Sequence, residues 1–235
     1  MPPLTLPVLR LRTIAKPSAE RWTSPDVLPA DRFDEMLGWL RREGWRGIDP
    51  ETLTRAMDGP DELPARSVLI TFDGGCRSLL DEGLSSLIRH SFPAMAFVPT
   101  DFVGLQARFN ELDDPVTVCT WDELRVLQRN NVSIESMGTG RRRFTRLDPT
   151  QQEREILVSR DAIEAHVGKP VEYFAYPKGD PGRDPEAAAE ILKWAGYRAA
   201  FTMGGGVNVL PGADPYRLAR IPIQPDTDLA RVLGE

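Results

Sequence analysis

The chain has 235 residues, 41% of them hydrophobic, with 35 acidic and 29 basic side chains and a net charge of -6. That is enough apolar material for one sizeable core, and the reading is a single domain over residues 1–235. The charges are scattered, with no long basic arm to neutralise phosphates, so nucleic acid is excluded as a partner; no apolar run approaches the roughly 20 residues that span a bilayer.

From the N-terminus, Met1 to Thr13 has neither the charged start nor the apolar stretch and cleavage site of a signal peptide. Short apolar or β-branched runs then alternate with amphipathic stretches of helix length, the pattern of parallel strands joined by crossover helices. The predicted strands are Val8 to Arg12, Ser67 to Asp73, Ala94 to Pro99, Ser133 to Ser136, Tyr173 to Pro177 and Ala199 to Met203. Asp31 is placed to cap a helix carrying Phe33, Met36, Leu37 and Leu40 at i, i+3, i+4 and i+7. Thr120 and Glu123 make a capping box, while Asp148-Pro149 and Asp184-Pro185 each set an acceptor at the cap and proline at the first helical position. Gly168 and Gly196 close the last two of these helices. Lys16 to Pro29 and Ala107 to Pro115, with its Asp113-Asp114 pair, read as surface loops. Cys76 and Cys119 are too few for a disulfide framework and read as free thiols in a reducing compartment, which with the absent signal predicts a cytoplasmic protein; a mature secreted form with its signal removed would look the same. Trp39, Trp121 and Trp194 fall at helical spacings and are expected in packing, whereas Trp22 sits in a proline-rich loop. His90 and His166, both at helix ends, are expected to be structural.

A parallel barrel places its chemistry at the carboxyl ends of its strands. Asp73, Thr100, Met137, Pro177 and Met203 fall at such ends.

The run Val68 to Cys76, V-L-I-T-F-D-G-G-C, resembles the first motif of the polysaccharide deacetylases (NodB-homology domains, carbohydrate esterase family 4), where T-F-D-D-G closes a strand. Ser91 to Gly104, Cys119 to Leu127, F-A-Y-P-K-G from Phe174 to Gly179, Ala195 to Thr202 and D-P-Y-R-L-A-R-I-P from Asp214 to Pro222 are similar, in order, to the family's later segments. The resemblance implies an irregular (β/α) barrel with fewer than eight units. It also implies an activity: metal-assisted removal of N- or O-acetyl groups from polysaccharide sugars. One aspartate and two histidines would hold the ion, and a neighbouring aspartate would act as base. Such an ion lowers the pKa of its bound water from 15.7 to about 7, which a carboxylate alone cannot do.

Carried over residue by residue, the resemblance gives Asp73 as the base, but Gly74 stands where the metal-binding aspartate should be. The S-H-T-x-x-H motif aligns with Ser136 to Arg141, so Met137 and Arg141 replace its histidines. Arg12 replaces a histidine found upstream in many relatives. Lys178 replaces the tyrosine whose backbone N–H donates to the oxyanion, and the N–H survives the change. These residues imply no metal and no other cofactor.

Asp73 reads either as a retained general base or as a strand-end carboxylate that pairs with an arginine. Without a metal, an aspartate of pKa ~3.9 has little power to deprotonate water, which favours the second. Its expected partner is Arg141 or Arg12. The Arg141-Arg142-Arg143 run is either a solvated loop or an anion-binding cluster. With Arg12 and Lys178 at other pocket positions, fixed cations would stand in for the ion and suit a carboxylate- or phosphate-bearing sugar. The binding residues on this reading are Arg12, Arg141, Tyr176, Pro177 and Lys178. The leading expectation is thus a metal-free, inactive or impaired member that binds a carbohydrate or other sugar-containing ligand, or a partner protein. The alternative is a working carbohydrate deacetylase in which Glu135, Ser136 or a cationic clamp assists Asp73. A second titratable group beside Asp73 would mark it. A third reading is a structural subunit whose barrel mouth another chain covers.

Overall fold

The computed structural model describes residues 4–16, 24–59, 63–109, 115–210 and 212–234. Among these residues seven parallel strands make the central sheet: β1 (Val8–Leu11), β2 (Ser67–Asp73), β3 (Ala94–Val98), β4 (Val132–Ser136), β5 (Tyr173–Ala175), β6 (Ala199–Phe201) and β7 (Ile221–Pro222). Their spatial order is β6-β5-β4-β3-β2-β1-β7, with the short strand Arg46–Gly47 added at the start of β2. The helices are α1 (Ala30–Arg42), α2 (Pro50–Asp58), α3 (Leu84–His90), α4 (Trp121–Arg129), α5 (Pro149–Val167), α6 (Pro185–Trp194) and α7 (Leu229–Leu233). Helices α3 to α6 are the crossovers that parallel pairing from β2 to β6 requires. A parallel bridge from Phe201 to Leu218 carries the chain from the β6 edge towards β7, which pairs with β1 and curls the sheet into an irregular barrel.

Side-chain alternation divides the core in two. Val68, Ile70 and Phe72 of β2 pack outward with the helices, together with Ala96, Ile134 and Phe174. Leu69 faces the lumen with Val8, Met95, Phe97, Met137, Ala175 and Phe201. Every residue of β2 is buried, as a parallel strand covered on both faces should be.

The capping boxes at Thr120/Glu123 and Asp148/Gln151 are formed, and Asp184 caps α6 through the N–H of Ala187. Each cap is worth about 1 kcal/mol. Helix α1 departs from expectation. It starts at Ala30 with Pro29 at the cap position, and the Asp31 carboxylate instead accepts from the Arg32 N–H. The cause is a strand within the expected loop: Val27–Pro29 pairs with Thr13–Ala15 and runs straight into the helix. Likewise Gln106–Ala107 pairs with Val116–Thr117. Trp22 and the Asp113-Asp114 pair lie outside the described residues. Trp121 stacks on His166, joining α4 to α5, and His90 meets Asp34 of α1. Trp194, expected in packing, is 71% exposed on the last turn of α6. Among the described residues no helix is long and apolar enough to cross a membrane.

Candidate functional site

Asp73 ends β2 facing the lumen and is buried. Arg220, on the segment that closes the barrel, donates from Nη1 to Oδ1 at 2.6 Å and from Nη2 to Oδ2 at 3.2 Å. Arg10 of β1 donates from Nε to Oδ2 at 2.9 Å. Burial alone would push the Asp73 carboxyl up, but Arg220 and Arg10 outweigh it and hold the pKa at about 2. Arg220 is further fixed by its Nε bond to the Thr202 carbonyl, 2.9 Å, and lies over the Phe97 ring.

The expected charge-assisted contact therefore exists, but with other partners. Arg10 shares the lumen side with Arg12 by alternation, and its pairing with Thr71 sets it one pleat below Asp73. Arg12 lies beyond the end of β1 and turns to Asp26, with Nη1 3.1 Å from Oδ2. Arg10 also pairs with Asp26. Arg141 donates from Nη1 to the Phe109 carbonyl at 3.3 Å and stacks on that ring, 4.4 Å from guanidinium carbon to centroid.

The second-motif loop is held from beneath by α5. The buried Glu155 accepts from the N–H groups of Thr139, 2.6 Å, and Gly140, 2.9 Å, and pairs with Arg142. This cradle fixes a loop in which Arg141 adopts a left-handed φ of 54°. The Pro177–Gly179 turn after β5 places Lys178 in the same region, φ 58°. Gly179 is required there, since a Cβ would come 2.4 Å from that of Met203.

Tyr176 does not face the mouth as the sequence suggested. Its ring is buried on the helix side between Phe144 and Phe174, because it lies two residues after the outward-facing Phe174. Pro177 is buried and Lys178 half-buried at the turn. Ser136 also points outward, bonded to Ser159 of α5 at 2.6 Å. Glu135 does face the lumen, but Phe97 stands on the strand between it and Asp73, and its oxygens accept from Ser133 and the N–H groups of Glu172 and Tyr173. Burial pushes Glu135 up to about 8 despite those donors.

The residues do not fit a divalent ion. Gly74 offers no side chain, and the space one would fill is taken by Phe109, whose Cε2 would lie 2.6 Å from an added Cβ. Met137 packs in the apolar lumen, Arg141 is cationic, and both Asp73 oxygens face guanidinium groups. Among the described residues no group of three or more His, Cys, Asp or Glu side chains could hold a metal.

A cleft of about 450 Å³ opens beside this cluster between the Thr13–Ala15 and Val116–Thr117 strands, with Arg12 and Cys76 in its wall. Burial raises the thiol pKa of Cys76, so it is not poised as a nucleophile. Sequence reasoning missed Arg10, Arg220, Phe109 and Glu155. A charge inside a buried strand, V-L-R-L-R, was a signal for Arg10; Phe109 carried none.

The family model for polysaccharide deacetylase matches residues 61–200. The protein YxkH of Bacillus subtilis (strain 168), whose name places it among polysaccharide deacetylases, is 22% identical over 228 residues, covering 95% of this chain and 73% of its own length. The poly-beta-1,6-N-acetyl-D-glucosamine N-deacetylase of Staphylococcus epidermidis is 26% identical over 207 residues, covering 83% of this chain and 67% of its own. Among solved structures, the Streptococcus pyogenes deacetylase PplD in complex with acetate superposes with a TM-score of 0.85 over 99% of this chain and 98% of that one. At 19% identity that likeness shows a shared fold.

Proposed function

The chain belongs to the polysaccharide deacetylase family, and from that premise we propose that it binds a polysaccharide or other sugar-containing ligand without deacetylating it. One observation carries this reading: Arg220 and Arg10 hold both oxygens of Asp73, the only residue of the base and metal set that the family resemblance assigns and this chain retains as a side chain. The metal-assisted hydrolysis that the family resemblance implies works through water activated to a pKa near 7. A carboxylate at about 2 is a weak proton acceptor, and Gly74, Met137 and Arg141 offer no ion a home. The name of the Staphylococcus epidermidis relative favours a β-linked amino-sugar polymer as the ligand class.

The test is elemental analysis of the purified protein, with acetate release from acetylated poly-β-1,6-glucosamine measured in added zinc, cobalt or manganese and binding of the same polymer measured by calorimetry. The expected result is saturable binding with neither a stoichiometric ion nor acetate release. An ion bound beside Asp73 together with acetate release would establish the alternative, a working deacetylase with Asp73 as base.

A further inference from the structure

Four guanidinium groups gather at the barrel mouth. Arg10, Arg12, Arg141 and Arg220 are all buried, Arg141 the most exposed of them at 8%. Among the described residues two carboxylates pair with them: Asp73, and Asp26, whose side chain is 22% exposed. Arg220 and Arg10 are matched to Asp73, and Arg10 and Arg12 to Asp26. Among the described residues Arg141 pairs with no carboxylate. One of its N–H groups reaches the Phe109 carbonyl, and its Nε is buried with no partner.

An uncompensated buried cation costs several kcal/mol. Burial pulls the Arg141 guanidinium pKa down; Asp73 offsets part of that fall, and Arg10 and Arg12 add to it. The position is nonetheless built. The loop that delivers Arg141 is held by Glu155, and the residue keeps a left-handed φ that only Gly, Asn and Asp adopt readily. Arg12 and Cys76 wall the neighbouring cleft, and Phe109, which packs with Cys76, carries Arg141 on its ring.

We propose that this unmatched guanidinium marks a binding site for an oxyanion, a carboxylate or phosphate group on a sugar-containing ligand, with Arg141 as its principal contact and Arg12 beside it. The inference rests on the sugar-binding reading above and adds the ligand's charge. A guanidinium fork matches either oxyanion bidentately, which a lysine could not do.

The experiment titrates the full chain with glucuronate, with inorganic phosphate and with a neutral N-acetylglucosamine oligomer, at constant ionic strength in chloride. Calorimetry and thermal unfolding are the readouts, and the series is repeated on Arg141→Met. One of the anions should bind saturably and raise Tm in the parent, the stronger of the two identifying the source. Arg141→Met should weaken that binding by about tenfold or more and raise the Tm of the ligand-free protein, because an unmatched charge is gone. Arg141→Gln serves the same purpose if the first variant does not fold. Anion binding that is unchanged in a folded Arg141 variant would overturn the site. So would a parent that binds the neutral oligomer and neither anion, an outcome that leaves the sugar-binding reading standing. Acetate release in zinc would instead remove the non-hydrolysing reading, while the anion titration still decides the oxyanion site.

Discussion

Arg220 grips Asp73 across 147 residues of sequence with both ends of its guanidinium, and neither side chain is more than 1% exposed. The same arginine bonds the Thr202 carbonyl after β6, so one side chain ties the closing segment to β2 and β6.

Arg220→Met should therefore destabilise the protein by about 3–5 kcal/mol, the usual cost of breaking a buried pair. Arg220→Lys should recover little of it, since a point charge cannot reproduce the fork. Urea unfolding of the three proteins measures both effects.

Asp73 sets a pH dependence. Its folded pKa, about 2, lies below the unfolded value of ~3.9, so its stabilisation is fully present above pH ~4 and is lost as pH falls through the folded pKa. The loss amounts to about 2–3 kcal/mol. Asp73→Asn should be less stable at neutral pH and should show a shallower acid limb between pH ~4 and ~2 in denaturant midpoints.

Glu135 works in the opposite direction. Its folded pKa is raised to about 8 by burial, so the neutral form suits the fold and stability is lost as pH rises from ~4.5 through the folded pKa. The loss is roughly 5 kcal/mol. Glu135→Gln cannot ionise, and its stability relative to the parent should improve steadily between pH 5 and pH 8 or above.

Restoring the three ligands that the family resemblance implies, by Gly74→Asp, Met137→His and Arg141→His, looks sufficient in the sequence to create a metal site. The structure adds an obstacle: at Gly74 the φ is +94° and Phe109 fills the side-chain space. The triple variant should take up little zinc, whereas adding Phe109→Ala should open the space and give measurable uptake by calorimetry. Zinc binding by the triple variant with Phe109 intact would show that the Gln106–Phe109 stretch yields easily.

By itself the sequence determined what depends on neighbours a few residues away. The positions of β2, β3 and β4, the capping boxes of α4 and α5, the Asp184 cap of α6 and the placement of Asp73 at a strand end all follow from local spacing, because helix caps and strand alternation are short-range geometry. The family resemblance places the metal ligands at Gly74, Met137 and Arg141, and the residue types there are equally legible in the sequence, since they are a matter of side-chain chemistry. Only the tertiary structure decided which cations serve Asp73. That depends on the pairing of β1 with β2, which brings Arg10 rather than Arg12 to the carboxylate, and on barrel closure, which brings Arg220 from the far end of the chain. It also turned Tyr176 to the helix layer, set Phe109 against Gly74 and left Arg141 without a carboxylate among the described residues. A buried charge takes the partner that packing delivers, and packing is settled by contacts between segments that no local pattern relates.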